Sequence, residues 1–294
     1  MTSQTSKISK ADFIRLDKAY KNYKQTNLKN ENLLAFYKTK DLAISVFKNG
    51  TLLLQGEESA IINFGKKATA PSKKVDFKSL DGTIGMDEVG TGDYFGPVVT
   101  CACYVANECV DKVKALKVND SKKIDDRQIR AMAKQLKKIV KAEVCVCQPI
   151  VYNKIIDKFD NSNVVKAICH NDALTKLTNK LKDRHYQIIL DQFVARQHYY
   201  DYLKKANIKP VYINVIEMKA ESKYLSVACA SVIARDAFLT YMDKLSAKAG
   251  IKLPLGSVEK SKIIAAGKQI IKKAKLAEFA KLHFDSITGE ILNK

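Results

Sequence analysis

The sequence has neither a long hydrophobic run nor an apolar N-terminal core. No stretch of about 18 consecutive apolar residues, the length that spans a membrane as a helix, occurs in its 294 residues. Segment 1–20 also lacks an apolar core of the length found in secretory signal peptides. These two absences predict a cytoplasmic protein.

The CxxC spacing of zinc and redox sites is missing as well. The seven cysteines include two pairs at CxC spacing, Cys101/Cys103 and Cys145/Cys147, and both pairs lie inside apolar runs. Residues i and i+2 of a strand share one face, so these pairs are interpreted as small buried side chains. We therefore expect core thiols, in a reducing compartment, rather than a zinc or redox site.

Acidic residues are scarce relative to basic ones. The chain has 51 Lys and Arg against 31 Asp and Glu, which gives a net charge of +20 and a pI near 9.5. Such a surplus favours a polyanionic partner, with nucleic acid as the leading candidate. The alternative is that the extra lysines only keep the protein soluble.

The N-terminal part of the chain is predicted to be a separate small α+β domain, residues 1–66, followed by a linker at 67–81. Two β-rich runs, 42–47 and 51–55, flank Asn49-Gly50, a hairpin turn in which both residues adopt positive φ. Residues 1–80 hold 15 Lys and Arg against 7 Asp and Glu, a surplus of eight. This composition favours a substrate-binding module over an enzyme.

Residues 82–294 alternate between strand-like and helix-like segments, which predicts an α/β layer fold. The first three strands are expected to form a meander. The strand-like runs are 82–89, 97–105, 142–150, 187–191 and 210–217. The helix-like runs include 125–141, 164–182, 194–206, 222–245 and 260–273.

Acidic residues follow three of these predicted strands. Asp87 and Glu88 end the first strand, Asp191 ends the fourth, and Glu217 and Glu221 follow the fifth. Strand ends border the cleft where α/β sheets bind ligands, although any one of these acids could also be an ordinary helix cap. Strand alternation sends adjacent residues to opposite faces, so two neighbouring acids can share a site only if the strand twists or bulges.

Clustered carboxylates need a cation partner, because like charges brought together raise each other's pKa values and cost stability. All-oxygen ligands suit Mg²⁺ or Mn²⁺. Two such ions about 4 Å apart can activate water and stabilise the leaving oxygen in phosphodiester cleavage. In a protein this basic, the acids predict a phosphate-cleaving nuclease.

Several motifs in residues 82–285 resemble those of the type 2 ribonucleases H, and within that family those of ribonuclease HIII. The most specific are GMDEVGTGDYFGP at 85–97 and AESKYLSVACASVIARD at 220–236. The others are DSKK at 120–123, YN at 152–153, HN at 170–171, LDQF at 190–193, LPLG at 253–256 and AKLHF at 280–284.

The resemblance implies a ribonuclease H-like fold with a central mixed five-stranded sheet flanked by helices. It also implies an N-terminal domain that resembles the TATA-binding protein and binds substrate. The implied activity is two-metal hydrolysis of the RNA strand of an RNA/DNA hybrid, with Mg²⁺ or Mn²⁺, leaving 5′-phosphate and 3′-hydroxyl ends. No protein partner is implied, and we expect a monomer.

The implied catalytic and metal-binding residues are four acids: Asp87, Glu88, Asp191 and Glu221. The implied substrate contacts are the backbone of a glycine turn, which recognises the ribose 2′-hydroxyl, and three polar side chains. These contacts are Gly90, Thr91, Gly92, Ser121, Lys122 and Lys223.

Some alternatives remain at this point. Incision at a single ribonucleotide embedded in DNA, as in ribonuclease HII, is disfavoured because Thr91 stands where that enzyme usually has arginine. A nucleic-acid-binding protein without turnover would need only the N-terminal module. His170 and His283 could contact nucleic acid, act as general acids or simply pack, and Asp93 could extend the metal site or form the turn.

Overall fold

The computed structural model describes residues 2–26, 30–39, 42–56, 82–118, 125–181, 185–257 and 259–293. The chain divides into two compact units, Met1–Val75 and Asp76–Lys294. The predicted linker 67–81 and two predicted substrate contacts, Ser121 and Lys122, lie outside the described residues. The predicted domain limits therefore remain predictions.

In its described residues, the first unit contains a four-stranded antiparallel sheet and one α-helix. In the sheet the strand order is β1-β4-β3-β2. Apolar side chains from its strands, including Tyr37, Ile44 and Leu54, form a small core with Leu16 of the helix. The elements are β1 (Thr2–Lys7), α1 (Lys10–Ala19), β2 (Leu33–Lys38), β3 (Leu42–Phe47) and β4 (Thr51–Gly56).

The hairpin predicted around Asn49-Gly50 joins β3 and β4, but its turn differs from the expected one. Only Gly50 has a positive φ, +76°, whereas Asn49 does not. The loop has three residues, 48–50, and the Gly50 N–H donates to the Phe47 carbonyl. A three-residue loop needs the left-handed conformation only at its last position, so a single glycine is sufficient.

The second unit alternates strands with helices. Its strands are β5 (Gly82–Val89), β6 (Val98–Ala106), β7 (Lys141–Cys147), β8 (Tyr186–Asp191) and β9 (Val215–Glu217). Its helices are α2 (Val110–Ala115), α3 (Asp126–Leu136), α4 (Pro149–Phe159), α5 (Ser162–Lys180), α6 (Arg196–Lys205), α7 (Leu225–Ala249), α8 (Lys260–Ile270) and α9 (Asp285–Leu292).

The five strands form one mixed sheet in the order β7-β6-β5-β8-β9. The pairs β7/β6 and β6/β5 are antiparallel, which confirms the predicted meander, and β5/β8 and β8/β9 are parallel. Because β5 and β8 run the same way, their carboxyl ends meet at one edge of the sheet. The predicted α/β fold with a central mixed five-stranded sheet is confirmed.

Several predicted element bounds are wrong. The run 142–150 stops being a strand at Cys147, because Pro149 opens helix α4 at the first helical turn, where its missing N–H costs nothing. Only Val215–Glu217 of the run 210–217 pairs in the sheet. The helix predicted from residue 222 begins at Leu225, after a short 3₁₀ turn, Ala220–Ser222.

Helices α5 and α7 cover opposite faces of the sheet. Cys101 and Cys103 of β6 are buried in the cluster that contains α7, whereas Ala102 between them is buried in the cluster that contains α5. Gly85 lets α7 approach β5 closely, since a Cβ at this position would lie 2.1 Å from the Val227 nitrogen. All seven cysteines are free thiols, and the inward-facing ones pack as expected.

By length and hydropathy, α7 could cross a bilayer, and it is the one such helix in the described ranges. Most of its apolar window is already buried inside the protein. A buried central helix passes the same test, so this is weak support for a membrane span.

Candidate active site

Asp87 and Asp191 lie side by side where two parallel strands end. The last pair of the β5/β8 ladder is Met86 with Leu190, and the two aspartates are the next residues on their strands. Asp87 follows Gly85 on the α7 face and accepts a hydrogen bond from Ser231 of that helix. The structure therefore brings together two of the four predicted acids.

Asp87 sits in an environment that disfavours its charged form. Burial raises the pKa of Asp87 to about 7, and the neighbouring carboxylates of Glu88 and Asp191 act in the same direction. Hydrogen bonds from Ser231 and from the Glu88 N–H, the latter at 2.7 Å, oppose this rise only in part. A cation bound here would remove the conflict between the charges.

Glu88 lies on the opposite face of the sheet from Asp87. The β5/β6 pairing continues without a bulge through Val89 opposite Val99, so ordinary alternation holds and the expected bulge is absent. Glu88 Oε2 lies 2.9 Å from His170 Nε2, and Oε1 lies 3.7 Å from Lys166 Nζ, both on α5. Burial alone would raise the pKa of Glu88, but His170 and Lys166 together hold it below its ordinary value.

Glu221 stands in the short turn that links β9 to α7. The N–H of the preceding residue, Ala220, donates to Asp191 Oδ1 at 2.8 Å. This bond joins the turn to the end of β8 and fixes one oxygen of Asp191. The fourth predicted acid is thus next in sequence to a residue that contacts the third.

Within the described ranges, no three Asp, Glu, His or Cys side chains form a group arranged to hold a metal ion. The β5/β8 ladder places Asp87 beside Asp191, and the Ala220 bond brings the residue before Glu221 to Asp191, whereas Glu88 is next to Asp87 in sequence but faces α5. The donors are all carboxylate oxygens, which suit a hard divalent cation, and the raised pKa of Asp87 marks uncompensated negative charge. The residue types present therefore fit such an ion.

The glycine turn after β5 leaves two residues exposed beside the acids. Gly90 is buried with φ +88°, whereas Thr91 and Gly92 are exposed. A Cβ on Gly92 would meet nothing within 4 Å. Asp93 forms the turn: its Oδ1 accepts the Gly256 N–H at 2.5 Å.

The end of this turn is fastened by the segment AKLHF, residues 280–284. Phe95 forms an isolated antiparallel bridge with Ala280, and the fully buried Lys281 donates from Nζ to the Gly96 carbonyl at 2.9 Å. Burial lowers the pKa of Lys281 to about 7. Asn153 in turn donates to the Ala280 carbonyl at 2.9 Å, so three of the sequence motifs meet at one place.

The remaining predicted residues have clear positions. His170 is fully buried and contacts a predicted catalytic acid, whereas His283 lies outside any helix and its Nε2 is 3.3 Å from the Tyr152 hydroxyl. Burial lowers the pKa of His283. Lys223 is half exposed, and its Nζ lies 3.3 Å from Oε1 of Glu217, an acid outside the predicted four.

Three residues around the acids were not predicted: Lys166, Phe193 and Ser231. Lys166 and His170 are one helical turn apart, a spacing visible in the sequence, but it has meaning only once Glu88 is known to face α5. Phe193 and Ser231 lie inside the motifs at 190–193 and 220–236, where no pattern in the sequence distinguishes their roles.

Comparisons with known proteins identify the family. The family model described as Ribonuclease HII matches residues 84–287. The chain is 37% identical over 275 residues to ribonuclease HIII of Streptococcus gordonii, covering 91% of this chain and 90% of that protein. It is 39% identical over 267 residues to ribonuclease HIII of Bacillus cereus, covering 84% of this chain and 85% of that protein.

Among solved structures, the crystal structure of Bst-RNase HIII in complex with Mn²⁺ is similar, with a TM-score of 0.69 and 31% identity. The match covers 99% of this chain and 98% of that one, so it includes both units. The chain therefore belongs to the ribonuclease HII family, among relatives that are ribonucleases HIII, and is a ribonuclease H.

Proposed function

We propose that the protein hydrolyses the RNA strand of RNA/DNA hybrids with the help of divalent metal ions. The observation that carries this proposal is the meeting of Asp87 and Asp191 at the carboxyl ends of two parallel strands, in a protein of net charge +20. Basic surface attracts the duplex, while the acids form a site where a cation would sit between protein and phosphate. The products are 5′-phosphate and 3′-hydroxyl ends.

Asp87, Glu88, Asp191 and Glu221 are the residues that would hold Mg²⁺ or Mn²⁺, in a two-ion site. When bound, such ions supply an activated water and stabilise the leaving oxygen. Asp87 would contribute a carboxylate whose orientation Ser231 and the Glu88 N–H already fix. The Ala220 N–H fixes Asp191 in the same way.

The glycine turn recognises the substrate. Thr91 and Gly92 are exposed next to the acids, and Gly92 leaves open space where another residue would have a side chain. A duplex can therefore approach the backbone there, which favours reading of the ribose 2′-hydroxyl. Lys223 is placed to contact a phosphate once it leaves Glu217, and Ser121 and Lys122 stay predicted contacts.

The N-terminal domain supplies affinity for the duplex. Its sheet and helix carry none of the four acids, and residues 1–80 hold a charge surplus of eight.

The protein acts as a cytoplasmic monomer.

Two rival functions differ from this one in what they would cleave. A ribonuclease HII-type enzyme would cut at a lone ribonucleotide in DNA, and a pure binding protein would cut nothing. Thr91 at the centre of the glycine turn disfavours the first, and the carboxylates of Glu88 and Asp191 close to Asp87 disfavour the second.

Cleavage of two end-labelled duplexes in Mg²⁺ or Mn²⁺ tests the proposal. One duplex has a continuous RNA strand and the other a single ribonucleotide in DNA. We expect efficient, EDTA-sensitive cleavage of the first. Preferential cleavage of the second would indicate the HII-type activity, and cleavage of neither would leave only the binding function.

A further inference from the structure

Two side chains of helix α5 hold the carboxylate of Glu88. His170 Nε2 lies 2.9 Å from Oε2, and Lys166 Nζ lies 3.7 Å from Oε1. The two residues are four positions apart in α5, and side chains at this spacing share one face of a helix. Each oxygen of Glu88 therefore faces one group of the same helical surface.

Phe193 connects this pair to the other strand end. Its ring stacks on His170, with centroids 5.5 Å apart and an interplanar angle of 14°, and Lys166 Nζ lies 4.3 Å from its centroid. Phe193 is two residues beyond Asp191. One aromatic ring therefore braces both partners of Glu88 against the segment that carries Asp191.

The burial of these groups argues against incidental contact. His170 is fully buried, and the side chains of Lys166 and Glu88 are 14% and 13% exposed. Buried polar groups are costly unless paired, and in the described residues the imidazole has no hydrogen-bond partner besides Glu88. A carboxylate has about four acceptor sites, so Glu88 can keep these partners and still offer lone pairs to a cation.

We infer that His170 and Lys166, braced by Phe193, are positioning residues that fix the Glu88 carboxylate for binding a divalent cation. Groups that hydrogen-bond a metal-binding carboxylate orient it before the metal arrives. The inference rests on the proposed function, because it gives Glu88 a metal-binding role.

The test replaces His170 in the full-length protein with Ala, Asn or Gln. Asn171→Ala is the matched control: Asn171 is the next residue of α5 and also buried, but it bonds to the Lys209 carbonyl and the Val211 N–H. Electron paramagnetic resonance of free Mn²⁺ measures metal affinity without substrate. Hybrid cleavage then gives kcat and KM.

We expect His170→Ala to weaken Mn²⁺ binding about 10- to 100-fold and to lower kcat, with KM for the hybrid little changed. Gln can still donate an amide N–H to Glu88, so it should recover part of the affinity, whereas the shorter Asn should not. Asn171→Ala should lower the melting temperature and keep wild-type Mn²⁺ affinity. If His170→Ala does not fold, the difference in Mn²⁺ affinity between His170→Asn and His170→Gln decides instead.

Wild-type Mn²⁺ affinity in folded His170→Ala, or equal affinity in the Asn and Gln variants, would overturn the inference. An equal loss in Asn171→Ala would do the same, since it would show a general effect of disturbing α5. Asp87→Asn separates this result from failure of the proposed function. If Asp87→Asn keeps wild-type Mn²⁺ affinity, the proposed metal site itself is wrong; if it loses affinity and His170→Ala does not, only the positioning role falls.

Discussion

At the scale of single residues, the site combines one acid whose charged form is disfavoured with one whose charged form is favoured. Asp87 is buried among carboxylates and its pKa is raised to about 7, while Glu88 next to it is held ionised by His170 and Lys166. Adjacent residues of one strand differ so strongly because they face opposite sides of the sheet. Burial of Asp87 beside two other carboxylates is therefore a cost that the metal-free protein carries.

This cost should be visible in the pH dependence of stability. With its folded pKa raised from 3.8 to about 7, Asp87 keeps a proton on folding that the unfolded chain releases, so its contribution falls as pH rises through this window. Asparagine does not titrate, so the stability of Asp87→Asn lacks this decrease with pH. In EDTA, the melting temperature of the variant relative to wild type should increase from pH 4 to pH 7 and then level off.

Thermal unfolding of both proteins across this pH range measures the difference. Excess Mn²⁺ at pH 7 should stabilise the wild type more than the variant. A difference in melting temperature that does not change with pH would show that Asp87 is not buried in an unfavourable charge environment.

At the scale of elements, the turn after β5 is exposed where substrate would approach and fixed where it meets the rest of the fold. Gly90 has φ +88°, and a Cβ there would lie 2.3 Å from the Pro97 carbonyl oxygen, whereas Gly92 has free space. The two glycines of one motif thus differ: the backbone conformation requires Gly90, whereas we propose that Gly92 leaves room for the duplex.

Valine at each glycine separates these purposes. Gly92→Val should fold with nearly wild-type stability and cleave hybrid at least about tenfold more slowly, because the side chain obstructs the duplex. In Gly90→Val, backbone strain should lower the free energy of unfolding by about 1–3 kcal/mol. The clash with the Pro97 carbonyl oxygen adds to this loss. Circular dichroism melts and hybrid cleavage measure both; normal cleavage by folded Gly92→Val would remove the turn from substrate recognition.

The segment 280–284 stabilises this turn through a buried lysine whose pKa is lowered to about 7. Between pH 7 and 10 the unfolded chain binds a proton at Lys281 that the folded chain does not, so wild-type stability gains from rising pH. Lys281→Met lacks this gain and also loses the bond to Gly96. Its melting temperature should fall further below that of the wild type at pH 9.5 than at pH 7.

Parallel melts at the two pH values, after correction with an exposed-lysine variant such as Lys262→Met, provide the measurement. A gap that does not widen between the two pH values would mean that Lys281 remains charged in the fold.

At the scale of the whole molecule, periodicity and turn residues were enough to predict the α/β class, the meander and the β3/β4 hairpin. They could not predict the surroundings of Glu88. Alternation along β5 puts Glu88 and Asp87 on opposite faces of the sheet, but it does not say which helix covers each face. The start of α4 was missed because residues 144–150 are apolar apart from Gln148, and Pro149 marks where the strand ends and the helix begins. The contacts of His170 depend on tertiary packing that no local pattern encodes.

The charge surplus of the N-terminal part predicts a role in affinity. Deleting residues 1–80 should leave a soluble catalytic unit, since the chain divides into two compact units near this point. Hybrid binding should weaken, and the plot of log affinity against log salt should become shallower by on the order of one unit per lost phosphate contact. Binding measured across a salt series tests this; equal slopes and affinities would mean that this part does not hold the substrate.

Metal-dependent cleavage of the RNA strand should depend on the acids at the ends of β5 and β8. Its most direct test is single-turnover cleavage of a continuous RNA/DNA hybrid by wild type and Asp87→Asn in Mn²⁺, with hybrid affinity measured in parallel. We predict that Asp87→Asn lowers the cleavage rate about 10³-fold or more while hybrid affinity stays close to wild type. Cleavage by folded Asp87→Asn at the wild-type rate would contradict the account.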